Sequence, residues 1–111
     1  MPSEQRQTER GNRTGELVRV KLPRMWNVFI INDDVTTFEF VEFVLVTLFD
    51  KDPGTAEAIA LAVHNSGKGL VGRYSFDIAH TRVEKATGLA RDAGFPLEFT
   101  IEPEQTDNGR Q

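Results

Sequence analysis

The chain has 111 residues, of which 39% are hydrophobic and 27% charged, and it contains no cysteine. That length suits one domain with a modest core plus flexible ends, and the absence of thiols excludes a disulfide framework and thiolate metal sites. The net charge of −4 conceals an asymmetry: residues 1–24 hold six Lys/Arg against three Asp/Glu, a net of +3, whereas residues 25–111 hold seven against fourteen, a net of −7.

A basic extension over 1–22 is therefore expected ahead of an acidic folded body over 23–104, with a disordered tail over 105–111. The extension reads either as an arm that reaches for a partner or as a solvated tail. The acidic body repels phosphate, so no nucleic-acid partner is expected. No run approaches the length of a transmembrane helix and no secretory apolar region opens the chain, so a cytoplasmic protein without a membrane partner is expected.

In chain order, "MWNVFII" (Met25 to Ile31) reads as a strand, with Trp26, Val28 and Ile30 on one face. Thr36, with Glu39 three residues on, reads as a capping box. It opens a helix from about Thr37 to Phe49 that carries Val41, Val44, Leu45 and Leu48 at helical spacing. Phe40, Phe43 and Val46 broaden that stripe, which predicts a central, mostly buried helix. Asp52 as N-cap and Pro53 at the first helical position begin a second helix, which runs past Ala60 and Val63 to His64 and is closed by Gly67. "GLVGRYS" (Gly69 to Ser75) reads as a short strand, with Gly72 marking a bulge or a close backbone approach. Ser75 caps a third helix from Phe76 to about Ala93. In "PLEFTIEP", Leu97, Phe99 and Ile101 alternate with Glu98, Thr100 and Glu102, as in a strand buried on one face. The order βααβαβ predicts an α+β domain, three helices against a three-stranded, mostly antiparallel sheet.

Three clusters carry candidate chemistry. Asn32-Asp33-Asp34 offers oxygens to a hard cation, but no further ligands follow at alternate positions, and a turn leading into a helix accounts for them; no metal is expected. His64 ends an apolar helix with no cysteine or nucleophile elbow to serve, so no catalytic residue is assigned. Lys68 in "SGKGL" lacks the spacing of a phosphate-binding loop. From the residues alone, the chain reads as a small α+β binding domain of unknown ligand.

"NDDVTTFEFV", "AVHNSGKGLVG" and "DIAHTRVEKATGLARDAGFPLEFTIEP" resemble, in order and spacing, the ClpS adaptor family, over Trp26 to Pro103. The resemblance implies a fold similar to the ribosomal stalk protein's C-terminal domain and a role that is not enzymatic. Such an adaptor binds polypeptides with a large hydrophobic first residue (an N-degron) and delivers them to a ClpA-type AAA+ unfoldase and its ClpP peptidase, with no cofactor. By the same resemblance, Asn32, Asp34 and His64 cage the free α-amino group. Ile30, Asp33, Thr36 and Phe38 line the pocket for the first side chain, together with Val41, Ala60, Val63 and Leu97. Asp77 and Arg82 match the family's unfoldase contact. The family usually carries Met at Phe38, Pro at Thr37 and a larger residue at Ala60; these departures imply a pocket favouring Phe, Tyr and Trp over Leu. The rival reading is a ribosome-associated or other interaction domain of similar fold without amine recognition.

Overall fold

The computed structural model describes residues 24–105. The expectations for an N-terminal extension and for most of the C-terminal tail lie outside the described residues. Six elements follow in the expected order: β1 (Trp26–Ile31), α1 (Phe38–Phe49), α2 (Pro53–Ser66), β2 (Lys68–Tyr74), α3 (Phe76–Asp92) and β3 (Glu98–Pro103). The sheet runs β2-β1-β3, and both pairings are antiparallel, so the sheet is wholly rather than mostly antiparallel.

Alternation along β1 decides which face the helices cover. Val28 and Ile30 are fully buried and pair with Ile101 and Phe99 of β3. Phe49, at the end of α1, stacks on Phe99 with ring centroids 5.8 Å apart and closes the core at that end. Across the other edge of β1, Val28 faces Gly72 and Phe29 faces Leu70, so Val71 is the extra residue of a bulge. Gly72 suits that position, because a Cβ there would lie 2.7 Å from the Tyr74 hydroxyl and the ring would have to shift.

The helix ends obey capping chemistry. Asp52 accepts from the Thr55 amide and Ser75 from the Ile78 amide, and Gly67 ends α2 with φ 85°, where a side chain would be strained. The start of α1 differs from the expected capping box. Thr37, not Thr36, is the N-cap and accepts from the Phe40 amide. The Thr36 hydroxyl points back into the preceding turn instead, where it donates to Asp33 at 2.7 Å.

The expectation that α1 is mostly buried also needs correction. Val41, Val44, Leu45 and Phe49 are buried, but Phe43 is 52% exposed and Val46 41%. A two-layer domain covers one face of α1 only, and nothing in the described part of the chain lies over the other.

Candidate functional site

The site forms where the end of β1, the start of α1 and the end of α2 meet. One backbone hydrogen bond sets this geometry: the Asn32 amide donates to the Gly67 carbonyl at 2.9 Å. The Gly67 amide in turn donates to the Val63 carbonyl at 2.8 Å. The residue after β1 is thereby tied to the C-terminal turn of α2, which carries His64. Gly69 permits the close contact just beyond. Its Cβ would fall 2.5 Å from Val63 Cγ2 and 3.2 Å from the Val63 backbone nitrogen.

A cleft of about 400 Å³ opens at this junction, within the ordinary range for a ligand site. Asn32, Asp33, Asp34 and His64 provide its polar part. Thr36, Phe38, Val41, Ala60 and Val63 provide the rest. Nine of the eleven residues expected to hold an amine and an apolar side chain therefore share one cavity, although they come from two separate stretches of chain, 32–41 and 60–64. The other two, Ile30 and Leu97, lie deeper, at 0% and 1% exposure. They line a void of about 20 Å³ alongside Thr36, Val41 and Val63, so they back the cleft wall rather than face its opening.

The two neighbouring carboxylates have different surroundings. Asp33 accepts three hydrogen bonds: from the Val35 amide at 2.8 Å, the Thr36 amide at 2.6 Å and the Thr36 hydroxyl at 2.7 Å. Partial burial works to raise its pKa, but the donors from Thr36 and Val35 outweigh it and hold the carboxyl below its ordinary value. Asp33 is thus engaged by its own turn, and the Thr36 hydroxyl donates to it. Asp34 and His64 are solvent-exposed, as is Asn32. The arrangement can surround a small cation with an amide oxygen, a carboxylate and an imidazole nitrogen at one end, and accommodate an apolar group at the other.

Lys68, the glycine-flanked lysine, pairs with Glu102 at 2.8 Å and lies over the Phe29 ring at 4.4 Å, on the sheet face away from the helices. Asp77 is exposed in the first turn of α3. Arg82 pairs with Asp50 at 3.2 Å and lies over the Tyr74 ring, which clamps α3 to the end of α1.

A second, shallower groove went unread in the sequence. Val35, Arg91, Gly94, Phe95 and Pro96 line it. The one signal for it was Val35, an apolar residue within an otherwise polar turn. No described helix is long and apolar enough to cross a membrane.

Residues 21–100 match the family model described as ATP-dependent Clp protease adaptor protein ClpS. A ClpS adapter protein of Acetivibrio thermocellus is 42% identical over 87 residues, covering 78% of this chain and 88% of the relative. One of Ralstonia pickettii is 47% identical over 83 residues, covering 75% and 77% respectively. The solved structure of Agrobacterium tumefaciens ClpS2 bound to L-phenylalaninamide superposes with a TM-score of 0.72 at 40% identity, covering 75% of this chain and all of that one. These matches do not favour the ribosome-associated alternative. With a family match over residues 21–100, which spans β1 through all three helices and into β3, and relatives above 40% identity, the chain belongs to the ClpS family of ATP-dependent Clp protease adaptor proteins.

Proposed function

We propose that this protein recognises the free first residue of substrate polypeptides and delivers them to a ClpA-type AAA+ unfoldase with its ClpP peptidase. The observation that carries this reading is the composition of one cleft, with Asn32, Asp34 and His64 beside Phe38, Val41, Ala60 and Val63. A free α-amino group is mostly an ammonium at neutral pH, with a reference pKa of about 7.7–8.0, and needs acceptors and negative charge around it. Asn32 offers an amide oxygen, Asp34 a carboxylate, and His64 a ring nitrogen or an ordered water held by it. An internal peptide segment has no ammonium, and its preceding residue would collide with these three. The Agrobacterium structure supports the reading, because the L-phenylalaninamide bound there has both a free amino group and a benzyl side chain.

The side-chain preference follows from two cleft residues. Phe38 makes one wall a rigid ring, which adapts less than a thioether would, and Ala60 leaves room opposite. First residues with flat rings (Phe, Tyr, Trp) are favoured over Leu. Anisotropy titrations with peptides that differ only at the first residue measure this. Phe should bind more tightly than Leu, and replacing both Phe38 and Ala60 with Met should narrow the gap; equal wild-type affinities contradict the assignment.

Asp77, exposed on α3, is the better candidate for unfoldase docking, because Arg82 already spends its guanidinium on Asp50 and Tyr74. Delivery itself is tested with a purified Clp unfoldase–peptidase and a fluorescent reporter. Adding this protein should accelerate degradation of a reporter that begins with Phe and not of one that begins with Ser. Equal rates for the two reporters contradict the adaptor reading.

A further inference from the structure

The outer side of α1 holds two large apolar side chains in the open, Phe43 at 52% and Val46 at 41% exposure. Glu39, Phe43, Val46 and Asp50 succeed one another at steps of four, three and four residues. They therefore form one row along that side, apolar in the middle with an acid at each end, and Glu42 flanks it. α1 contains no Lys or Arg. Among the described residues Asp50 pairs with Arg82, and no cation pairs with Glu39 or Glu42. The row sits on a fixed base, because the Phe43 ring lies 6.2 Å from Phe40, which packs on Phe95 at 4.9 Å. An exposed apolar strip rimmed by charge marks a contact surface, and this one suits a partner that alternates apolar with basic side chains.

A second copy of α1 does not suit it. Two such helices packed antiparallel about the midpoint of Phe43 and Val46 would set Glu39 of each against Asp50 of the other, and packed parallel they would set Glu39 against Glu39. The chain's own sequence ahead of the fold does suit it. In "LVRVKL" (Leu17 to Leu22), Val18, Val20 and Leu22 alternate with Arg19 and Lys21, within the stretch of net positive charge that precedes the acidic body. The reach is sufficient. β1 begins at Trp26, which pairs with Tyr74, and the Tyr74 ring lies 6.2 Å from Phe49 at the end of α1. Phe43 is about 9 Å back along the axis from Phe49, and a helix with its side chains is about 10–12 Å across. The stretch from Trp26 back to Val18 spans about 26 Å when extended, more than the two distances combined.

We propose that the outer side of α1 is the docking site for residues 17–22 of the same chain, with Val18, Val20 and Leu22 against Phe43 and Val46 while Arg19 and Lys21 reach Glu39 and Glu42. The two pairs of charges match in spacing. Residues two apart in an extended chain are about 6.6 Å apart, and side chains three apart on a helix are about 5–6 Å apart. The basic extension is then anchored to the helix that supplies Phe38 and Val41 to the cleft, with residues 1–16 left beyond the contact. The docking does not depend on what the cleft binds.

Trypsin reads this contact, and the same extension supplies the control. It cuts after Arg10 and Arg13, outside the proposed contact, and after Arg19 and Lys21, within it. Timed digestion of the full chain is followed by mass spectrometry, and each rate is divided into that of the same bond in a synthetic peptide of residues 1–24. The bonds after Arg19 and Lys21 should be protected at least about 10-fold and those after Arg10 and Arg13 hardly at all, at every protein concentration. Phe43→Ser with Val46→Ser, both exposed and outside the cleft, should bring the protection close to one with the circular dichroism spectrum unchanged. Glu39→Gln with Glu42→Gln keeps the apolar row and should lower the protection about 3-fold, as the loss of exposed charge pairs implies. Equal ratios at all four bonds in the wild type, or protection unchanged in both variants, overturns the proposal. Protection that vanishes on dilution, with dimers seen by sedimentation, assigns the face to a second copy and also overturns it. Absence of protection together with slower unfoldase-dependent degradation by the Phe43→Ser, Val46→Ser variant assigns the face to the unfoldase and overturns it too.

Discussion

Asp33 and Asp34 are adjacent and chemically identical, yet hydrogen bonding gives them separate work. Asp33 accepts from two backbone amides and the Thr36 hydroxyl, so its charge holds the turn that carries the polar end of the cleft. Asp34 remains exposed and free to meet an ammonium. A hydrogen bond to a charged group contributes about 1.5–3 kcal/mol, so Asp34→Asn should weaken binding of a Phe-first peptide about 10- to 100-fold with no change in melting temperature. Asp33→Ala should lower affinity and melting temperature together, because the turn loosens. Acid acts on Asp33 in the same sense. Its folded pKa lies below the ordinary 3.8, so its contribution to stability is complete above that value and disappears as the pH falls through the folded pKa. Asp33→Asn should therefore flatten the acid limb of the stability curve in thermal melts from pH 6 to pH 2; an unchanged acid limb contradicts the turn assignment. The residues of this pair were visible in the sequence. Their division was not, because it depends on which carboxylate the local turn captures, and that is decided by backbone geometry.

The same distinction applies to the elements. Periodicity and capping residues identified all six, since Asp52, Pro53, Gly67 and Ser75 each carry a local chemical reason for a boundary. What periodicity could not convey was coverage. Phe43 and Val46 extend the apolar stripe of α1, but a stripe does not say whether a second layer exists to bury it. Nor could it show how α2 meets the sheet. That contact depends on Gly69, where an added methyl group would strike Val63 side chain and backbone. Gly69→Ala should therefore cost about 1–3 kcal/mol through overpacking. Because Val63 also lines the cleft, the substitution should weaken peptide binding as well. Denaturant unfolding and peptide titration of the same variant check both effects, and a fall in stability with binding unchanged contradicts the coupling between this contact and the cleft.

At the scale of the whole molecule, the charge distribution separates binding from delivery. The cleft lies within the acidic body, whereas the net positive charge lies in residues 1–24. Removing residues 1–20 should leave the affinity for a Phe-first peptide within about twofold and slow degradation of the matching reporter by the unfoldase–peptidase; equal degradation rates would contradict a role for this segment in delivery. The cleft's two contributing stretches, 32–41 and 60–64, lie apart in the chain and are tied together by the Asn32–Gly67 backbone bond. That is why the residues taken singly suggested only a turn and a helix end, while the ordered family motifs linked them. The account depends most on the claim that Asn32, Asp34 and His64 hold a free ammonium. Titrating one Phe-first peptide and its N-acetylated twin, at pH 7 and fixed salt, tests that claim most directly. The free peptide should bind saturably and the acetylated one at least about 100-fold more weakly, the loss expected when a charged, hydrogen-bonded group is removed. Equal affinities for the two would contradict the claim.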